Sequence, residues 1–264
     1  QAMAVAPADI ENAVVNILRV HEAETAMLFC ATRDNVRHLH ASLIERGFSA
    51  VALSGEHSQN ERNHALQALR DRRERVCVAT DDAARGIELP RLALVVHVEI
   101  PRDAEILQHR SGRTGRAGKK GTAILIVPYP RRRRVEAMLR DARVPAEWIA
   151  PPSAAEIHAA DSERLLAALL APVEPGQDDH ALAARLLAER SAEDIAVALI
   201  QAHRSRLPAP EELLAADAQP QRGPRPGFEG SAWFRLNVGR RQNADPRWIL
   251  PLLCRRGHVS RSEI

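Results

Sequence analysis

Five short apolar runs, at residues 26–31, 49–53, 75–79, 92–98 and 122–127, alternate with stretches whose apolar residues recur every three or four positions. No other feature constrains the fold as strongly. A strand–helix–strand rhythm of this kind joins parallel strands through crossover helices, so the chain predicts an α/β fold with a parallel sheet flanked by helices. The run Ala26-Met27-Leu28-Phe29-Cys30-Ala31 is apolar at every position, as a strand covered on both faces requires. A helix is predicted over 7–20, where Ile10, Val14, Ile17 and Leu18 share a face. A second surrounds Val36, Leu39, Leu43 and Ile44 and closes at Gly47, and a third follows Ser58, which stands at capping-box distance from Glu61. Gln1-Ala2-Met3 reads as an extraneous leader.

Composition narrows the core and the partners. Hydrophobic residues make up 45% of the chain, but with four Phe, three Trp and one Tyr the core must be built from Ala, Val, Leu and Ile. The net charge of +3 is small, yet arginine clusters at 70–75, 110–116, 131–134 and 235–256. Local basic stripes govern nucleic-acid affinity more than total charge does. Cys30, Cys77 and Cys254 lack zinc spacing. The first two lie in apolar runs and read as buried, reduced thiols of a cytoplasmic protein. No apolar run approaches the ~20 residues that span a bilayer, and the first residues do not read as a signal peptide.

In open α/β sheets ligands sit beyond the carboxyl ends of the strands. Three polar loops are predicted there: Thr32-Arg33, Ser54-Gly55-Glu56 and Thr80-Asp81. A fourth segment, His109-Arg110-Ser111-Gly112-Arg113-Thr114-Gly115-Arg116, puts four His or Arg side chains within eight residues. Its glycines end a helix, so that Arg113 and Arg116 project from a tight loop. Cations held that way grip a phosphoryl group as its charge redistributes. Spacing alone says only that this is an anion site.

The pair of blocks Ala79-Thr80-Asp81-Asp82-Ala83-Ala84-Arg85-Gly86 and His109 to Arg116 closely resembles motifs V and VI of DEAD-box RNA helicases. Leu28-Phe29-Cys30-Ala31-Thr32 resembles motif IV, Ser54-Gly55-Glu56 the His-Gly-Asp turn, and Gln59-Asn60-Glu61-Arg62 the QxxR element. The likeness covers about residues 20–130 in order, and implies the second RecA-like domain of the helicase core. It implies Arg113 and Arg116 as arginine fingers, with His109, Arg110 and Arg85 contacting the catalytic loops of a partner domain. Gly86 and Glu88 would adjoin bound ATP, Glu88 standing where the family usually has Asp to hold the ribose. Thr32, Gly55, Gln59, Arg62 and Thr80 would line the RNA backbone. The structural alternative for Gln59 and Glu61 is plain helix capping. Neither a P-loop of the form GxxxxGK[ST] nor an Asp-Glu-Ala-Asp sequence occurs in the chain. The resemblance therefore implies the C-terminal part of a larger helicase, with ATP, Mg2+ and most nucleotide contacts supplied by a first RecA-like domain. A fragment of this kind is not expected to hydrolyse ATP alone. A non-catalytic RNA-binding and dimerisation module is the alternative.

The helicase-like domain is assigned to residues 4–150. Residues 131–134, all arginine, open a helix and are either a solvated helix start or an RNA-backbone contact. Residues 153–206 read as all-α, with apolar stripes at Leu165, Leu166, Leu169 and Leu170, at Leu182, Leu186 and Leu187, and at Ile195, Leu199 and Ile200. So few helices make a poor core alone. They dock onto the first domain or form a homodimer, and a likeness to bacterial cold-shock DEAD-box helicases favours the dimer. Residues 207–230 read as a linker. Residues 231–264 resemble the opening of an RRM-like RNA-binding domain, cut short, with Trp233, Arg235 and Asn237 on one strand face and a helix beginning at Pro246.

Overall fold

The computed structural model of the chain describes residues 1–87, 89, 92–115, 120–172 and 174–214. Among them, seven strands form one sheet: β1 (Ala2–Val5), β2 (Thr25–Cys30), β3 (Ala50–Leu53), β4 (Val76–Thr80), β5 (Leu92–His97), β6 (Thr122–Pro128) and β7 (Trp148–Ile149). Their order is β3-β4-β2-β5-β6-β1-β7, and every pairing is parallel. The five predicted runs are β2 to β6. The leader reading of the first residues is corrected: Ala2 and Met3 are 0% and 1% exposed, held between Leu125 and Ile126 of β6 and Trp148 and Ile149 of β7.

Helices α1 (Ile10–His21), α2 (Arg33–Glu45), α3 (Gln59–Arg70), α4 (Asp81–Ala84), α5 (Ala104–Ser111) and α6 (Arg132–Asp141) complete the domain. The first predicted helix begins instead as a 3-10 turn at Pro7–Asp9. Alternate residues of a strand face opposite sides. Ala26, Leu28 and Cys30 of β2 accordingly join Val14, Ile17, Val36 and Leu43 of α1 and α2. Met27 and Phe29 join Leu69 of α3 and Ala83 and Ala84 of α4 on the other face. Leu107 of α5 packs with Val135 and Leu139 of α6 over β6. Burying each of the Val, Leu, Ile, Met or Phe side chains contributes about 1.5–3 kcal/mol. Cys30 and Cys77 are buried free thiols, pushed up to about 12 by burial, which leaves them unreactive.

The extension comprises α7 (Ala154–Leu170), α8 (Gln177–Glu189) and α9 (Ala192–Arg204). Of the two fates expected for its helices, α7 docks on its own domain. Ile157 and Leu165 are buried, and Asp161 meets Arg19 of α1 at 2.5 Å, both side chains nearly buried. Arg164 donates to the carbonyls of Arg19 and Val20 at 3.3 and 2.6 Å. The stripe of four leucines is therefore split, since Leu166, Leu169 and Leu170 remain 46–75% exposed. Helices α8 and α9 expose Leu182, Leu186, Leu187, Val197 and Leu199.

The reading of 207–230 as linker is corrected for its first part. Glu211 returns to α1, where its N–H donates to Asn16 Oδ1 at 2.8 Å and its carbonyl accepts from Asn16 Nδ2 at 2.8 Å. The same Nδ2 reaches the Pro152 carbonyl at 2.9 Å. Arg46 pairs with Glu211 at 2.9 Å, and Leu214 N–H donates to Asp9 Oδ2 at 2.8 Å. Composition hid this, because the segment docks through backbone groups, one glutamate and a single packed leucine, Leu213. The rest of the linker, the RRM-like segment 231–264 and Cys254 lie outside the described residues. No helix among the described residues is long and apolar enough to cross a membrane.

Candidate functional site

The carboxyl ends of β3, β4 and β2 lie side by side, with Leu53 opposite Ala79 and Thr80 opposite Cys30. The loops that follow share one edge. Thr32 is exposed and caps α2, its Oγ1 accepting from Asn35 N–H at 3.1 Å. Gly55 is exposed in the turn after β3, with the Arg33 guanidinium over it. Ser58 and Glu61 form the predicted capping box. The bonds from Ser58 hold the Glu61 carboxyl below its usual range. Gln59 is exposed and bonds to Asn63 at 3.1 Å. Thr80 is buried at the start of α4, with no capping bond from its side chain. Hydroxyl, amide and backbone groups on a helix-rich edge suit sequence-independent phosphate contact.

Arg62, expected to face the same ligand, reaches the Ala83 carbonyl at 2.9 Å and so braces α4 from the α3 side. Arg110 braces it from the other side. Its Nε and Nη2 meet the two carboxylate oxygens of Asp81 at 2.6 and 2.7 Å, its Nη1 reaches the Glu99 carbonyl at 2.9 Å, and its guanidinium lies 5.1 Å from the Phe29 ring centre. Arg110 is 2% exposed. The expectation that it contacts a partner domain is corrected: it turns inward one helical turn after Leu107 and acts by positioning α4.

The remaining cations gather about Gly86, which takes a left-handed φ of 75°. Arg85 is exposed beside Asp82. Arg113 donates to the Ile87 carbonyl at 3.2 Å, and its Nη2 lies 2.6 Å from His109 Nε2, so the loops after β4 and α5 touch through this side chain. Thr114 Oγ1 donates to the Leu92 carbonyl at 2.6 Å. A Cβ on Gly121 would lie 2.0 Å from Thr114 Oγ1 and 2.5 Å from Gly115 N, so the arginine loop folds back on β6 against a bare backbone. Glu88 and Arg116 lie outside the described residues. Guanidinium and imidazole groups around an open backbone fit a polyphosphate. No group of three His, Cys, Asp or Glu able to hold a metal occurs among the described residues.

Two participants escaped the sequence. Glu99, after β5, accepts from Ala31 N–H at 2.5 Å and from Asn35 Nδ2 at 2.8 Å, fixing the loop that carries Thr32. His97 is 1% exposed, packs near Phe29 and contacts Ser111 Oγ at 3.0 Å. Burial, then the Arg110 charge, lowers it to about 3, so it is neutral.

The family described as Helicase conserved C-terminal domain matches residues 9–118. The chain is 44% identical over 115 residues to DEAD-box ATP-dependent RNA helicase 53 of Oryza sativa, covering 44% of this chain and 19% of that protein. It is 42% identical over 114 residues to ATP-dependent RNA helicase SrmB of Escherichia coli, covering 43% and 26%. It thus spans about a fifth to a quarter of the length of these curated relatives. Its structure superposes on the E. coli DEAD-box protein SrmB solved with the regulator of ribonuclease activity A, with a TM-score of 0.53 and 34% identity over 56% of this chain and 88% of that one. A DEAD box protein from Methanococcus jannaschii gives a TM-score of 0.53 and 30% identity over 56% of this chain and 41% of that one. With 34% identity across 88% of the SrmB structure and the same parallel-sheet fold, the chain belongs to the DEAD-box helicase family and carries its C-terminal, RecA-like domain.

Proposed function

We propose that this chain is the C-terminal part of an ATP-dependent RNA helicase that unwinds or remodels structured RNA in the cytoplasm. One observation carries the reading: two chemically distinct donor sets are joined by one short segment, in which α4 leads from Thr80 at the carboxyl end of β4 to Arg85, Gly86 and the Ile87 carbonyl that Arg113 holds. Thr32, Gly55, Gln59, Arg62 and Thr80 form the set that suits an RNA backbone. Arg85, Gly86, His109 and Arg113 form the set that suits a polyphosphate. The relatives in rice and E. coli are named ATP-dependent RNA helicases, and the yeast DEAD-box protein Dbp5, of the same fold at 24% identity, was solved bound to RNA and ADP BeF3.

The working site in this reading lies between this domain and a first RecA-like domain of the same polypeptide. Bound ATP with its Mg2+ supplies the phosphoryl group and the driving free energy, the metal being held by the nucleotide and the first domain. Arg113 and Arg116 serve as arginine fingers, and Arg113 must leave the Ile87 carbonyl and His109 to do so. His109 and Arg85 face the partner domain, and Glu88 holds the ribose. Arg62 and Arg110 grip α4 from the two sides, so movement at either set is felt by the other. Arg113→Ala in a polypeptide holding both domains should lower RNA-stimulated ATP hydrolysis by about 10³ or more and spare RNA affinity. Turnover at the unaltered rate would overturn the assignment.

A second copy of the chain is the proposed cover for the extension. Helix α8 has 13 residues and exposes three leucines. Such a helix is marginal in water by itself, and a symmetric pairing would bury the stripe of each copy on the other.

A further inference from the structure

Helix α6 opens on arginine at positions 131–134, with no carboxylate in its first turn. The four do not have the same employment. Arg132 meets Glu136 at 3.0 Å and lies 4.6 Å over the Trp148 ring, so it is committed to its own fold. Arg131 and Arg134, one helical turn apart, line an open cleft of about 260 Å³ together with Ala31, Glu99, Ile100 and Pro128. This cleft crosses the carboxyl ends of β2, β5 and β6 and begins at Ala31, the neighbour of Thr32.

We propose that Arg131 and Arg134 form a further RNA-backbone site that continues the path of the strand beyond Thr32. The inference rests on the RNA-binding reading above and extends it along the sheet. Gly55, Thr80, Thr32 and the cleft follow the strand order β3-β4-β2-β5-β6 along one edge. At about 4.8 Å between strands, that line is about 19 Å long. Cations at the positive end of a helix oppose its dipole, so an anion there relieves a repulsion that the fold otherwise carries. The Glu99 carboxylate in the cleft is engaged by the Ala31 N–H and the Asn35 amide, and two guanidinium groups outweigh its charge. The cleft holds the volume of about nine waters, room for a phosphodiester with its hydration. Exposed guanidinium groups on an open channel act on a polyanion through counterion release, which favours a nucleic-acid strand over a small free anion.

The test is the salt dependence of binding of a long, fluorescent oligouridylate to this chain. For a single strand, the slope of log K against log salt changes by about 0.7 per phosphate contact. The variant Arg131→Gln/Arg134→Gln should flatten the slope by about 1.4, corresponding to two lost contacts. Arg132→Gln should leave the slope unchanged, and circular dichroism should show all variants folded. A 4-thiouridine strand should cross-link to the peptide that contains residues 131–134. If Thr32→Ala weakens binding while the double variant keeps the wild-type slope, the extension is wrong and the RNA reading stands. If the unaltered chain binds no oligouridylate, both fall.

Discussion

Arg110 sets both Nε and Nη2 on the carboxylate of Asp81, at 2.6 and 2.7 Å, from a position that solvent does not reach. Asp81 is the first residue of α4, and Arg62 holds the Ala83 carbonyl from the opposite direction. A four-residue helix has little stability of its own, so its position is set by these two guanidinium groups.

Arg110→Ala should therefore cost about 3 kcal/mol of stability, at the lower end for a broken buried pair because the Asp81 side chain is a third exposed. Urea unfolding measures it. In a cycle with Asp81→Asn the losses should be strongly non-additive. A change under about 0.5 kcal/mol, the scale of an ordinary surface substitution, would refute the bracing role.

His97 gives the domain an acid-sensitive element. Its folded value is about 3, against 6.5 for the free side chain, so below pH 6.5 the unfolded chain binds a proton that the folded one refuses. Stability contributed by the neutral ring is fully present above 6.5 and falls as pH drops towards 3, by up to about 1.4 kcal/mol per pH unit. Unfolding midpoints between pH 7 and 5 should decline in the natural chain and decline less in His97→Gln. Parallel declines would show that other groups are responsible.

Gly121→Ala should disturb the arginine loop. The new methyl would meet the Gly115 backbone nitrogen as well as the Thr114 side chain, and trimming Thr114 relieves only one of these contacts. Overpacking of this kind costs about 1–3 kcal/mol. The double variant Gly121→Ala/Thr114→Ala, which removes the colliding Oγ1, should remain destabilised relative to Thr114→Ala in thermal unfolding. Full recovery would place the collision in the side chain alone.

Light scattering tests the dimer, and the choice of leucines decides what is learned. Leu165 is buried one turn after Asp161, which meets Arg19 of α1, so its substitution would loosen α7 whatever the oligomeric state. Leu169→Glu/Leu170→Glu alters exposed positions. It should halve the mass of a dimer while leaving α7 docked on its domain, as circular dichroism would show. A mass equal to one chain before substitution would rule the interface out.

The sheet was legible where a strand is covered on both faces, because continuous apolar runs such as residues 26–31 leave few alternatives. Strands β1 and β7 have four and two residues. Their burial comes from pairing across the sheet, and no local pattern announces it. Within the site, the residue types of the loops were legible but their directions were not. Arg110 and Arg113 look alike in sequence. The buried Leu107, three residues before Arg110 on the same face of α5, is the local signal that separates them. Glu99 was missed because a lone glutamate after a strand gives no hint that it will bond across to the next loop.

Asn16 joins three parts of the chain that are made at very different times. Its amide bonds to Pro152 and Glu211, 136 and 195 residues downstream, from a fully buried position on α1. During synthesis the seven-stranded sheet has all its strands once residue 149 has emerged, while the Asn16 carboxamide still awaits Glu211. A polar group buried without its partner costs about 1–3 kcal/mol. The domain thus reaches its final stability late, when the ribosome has delivered the segment after α9. A nascent chain stalled before that point should be the form most open to proteases.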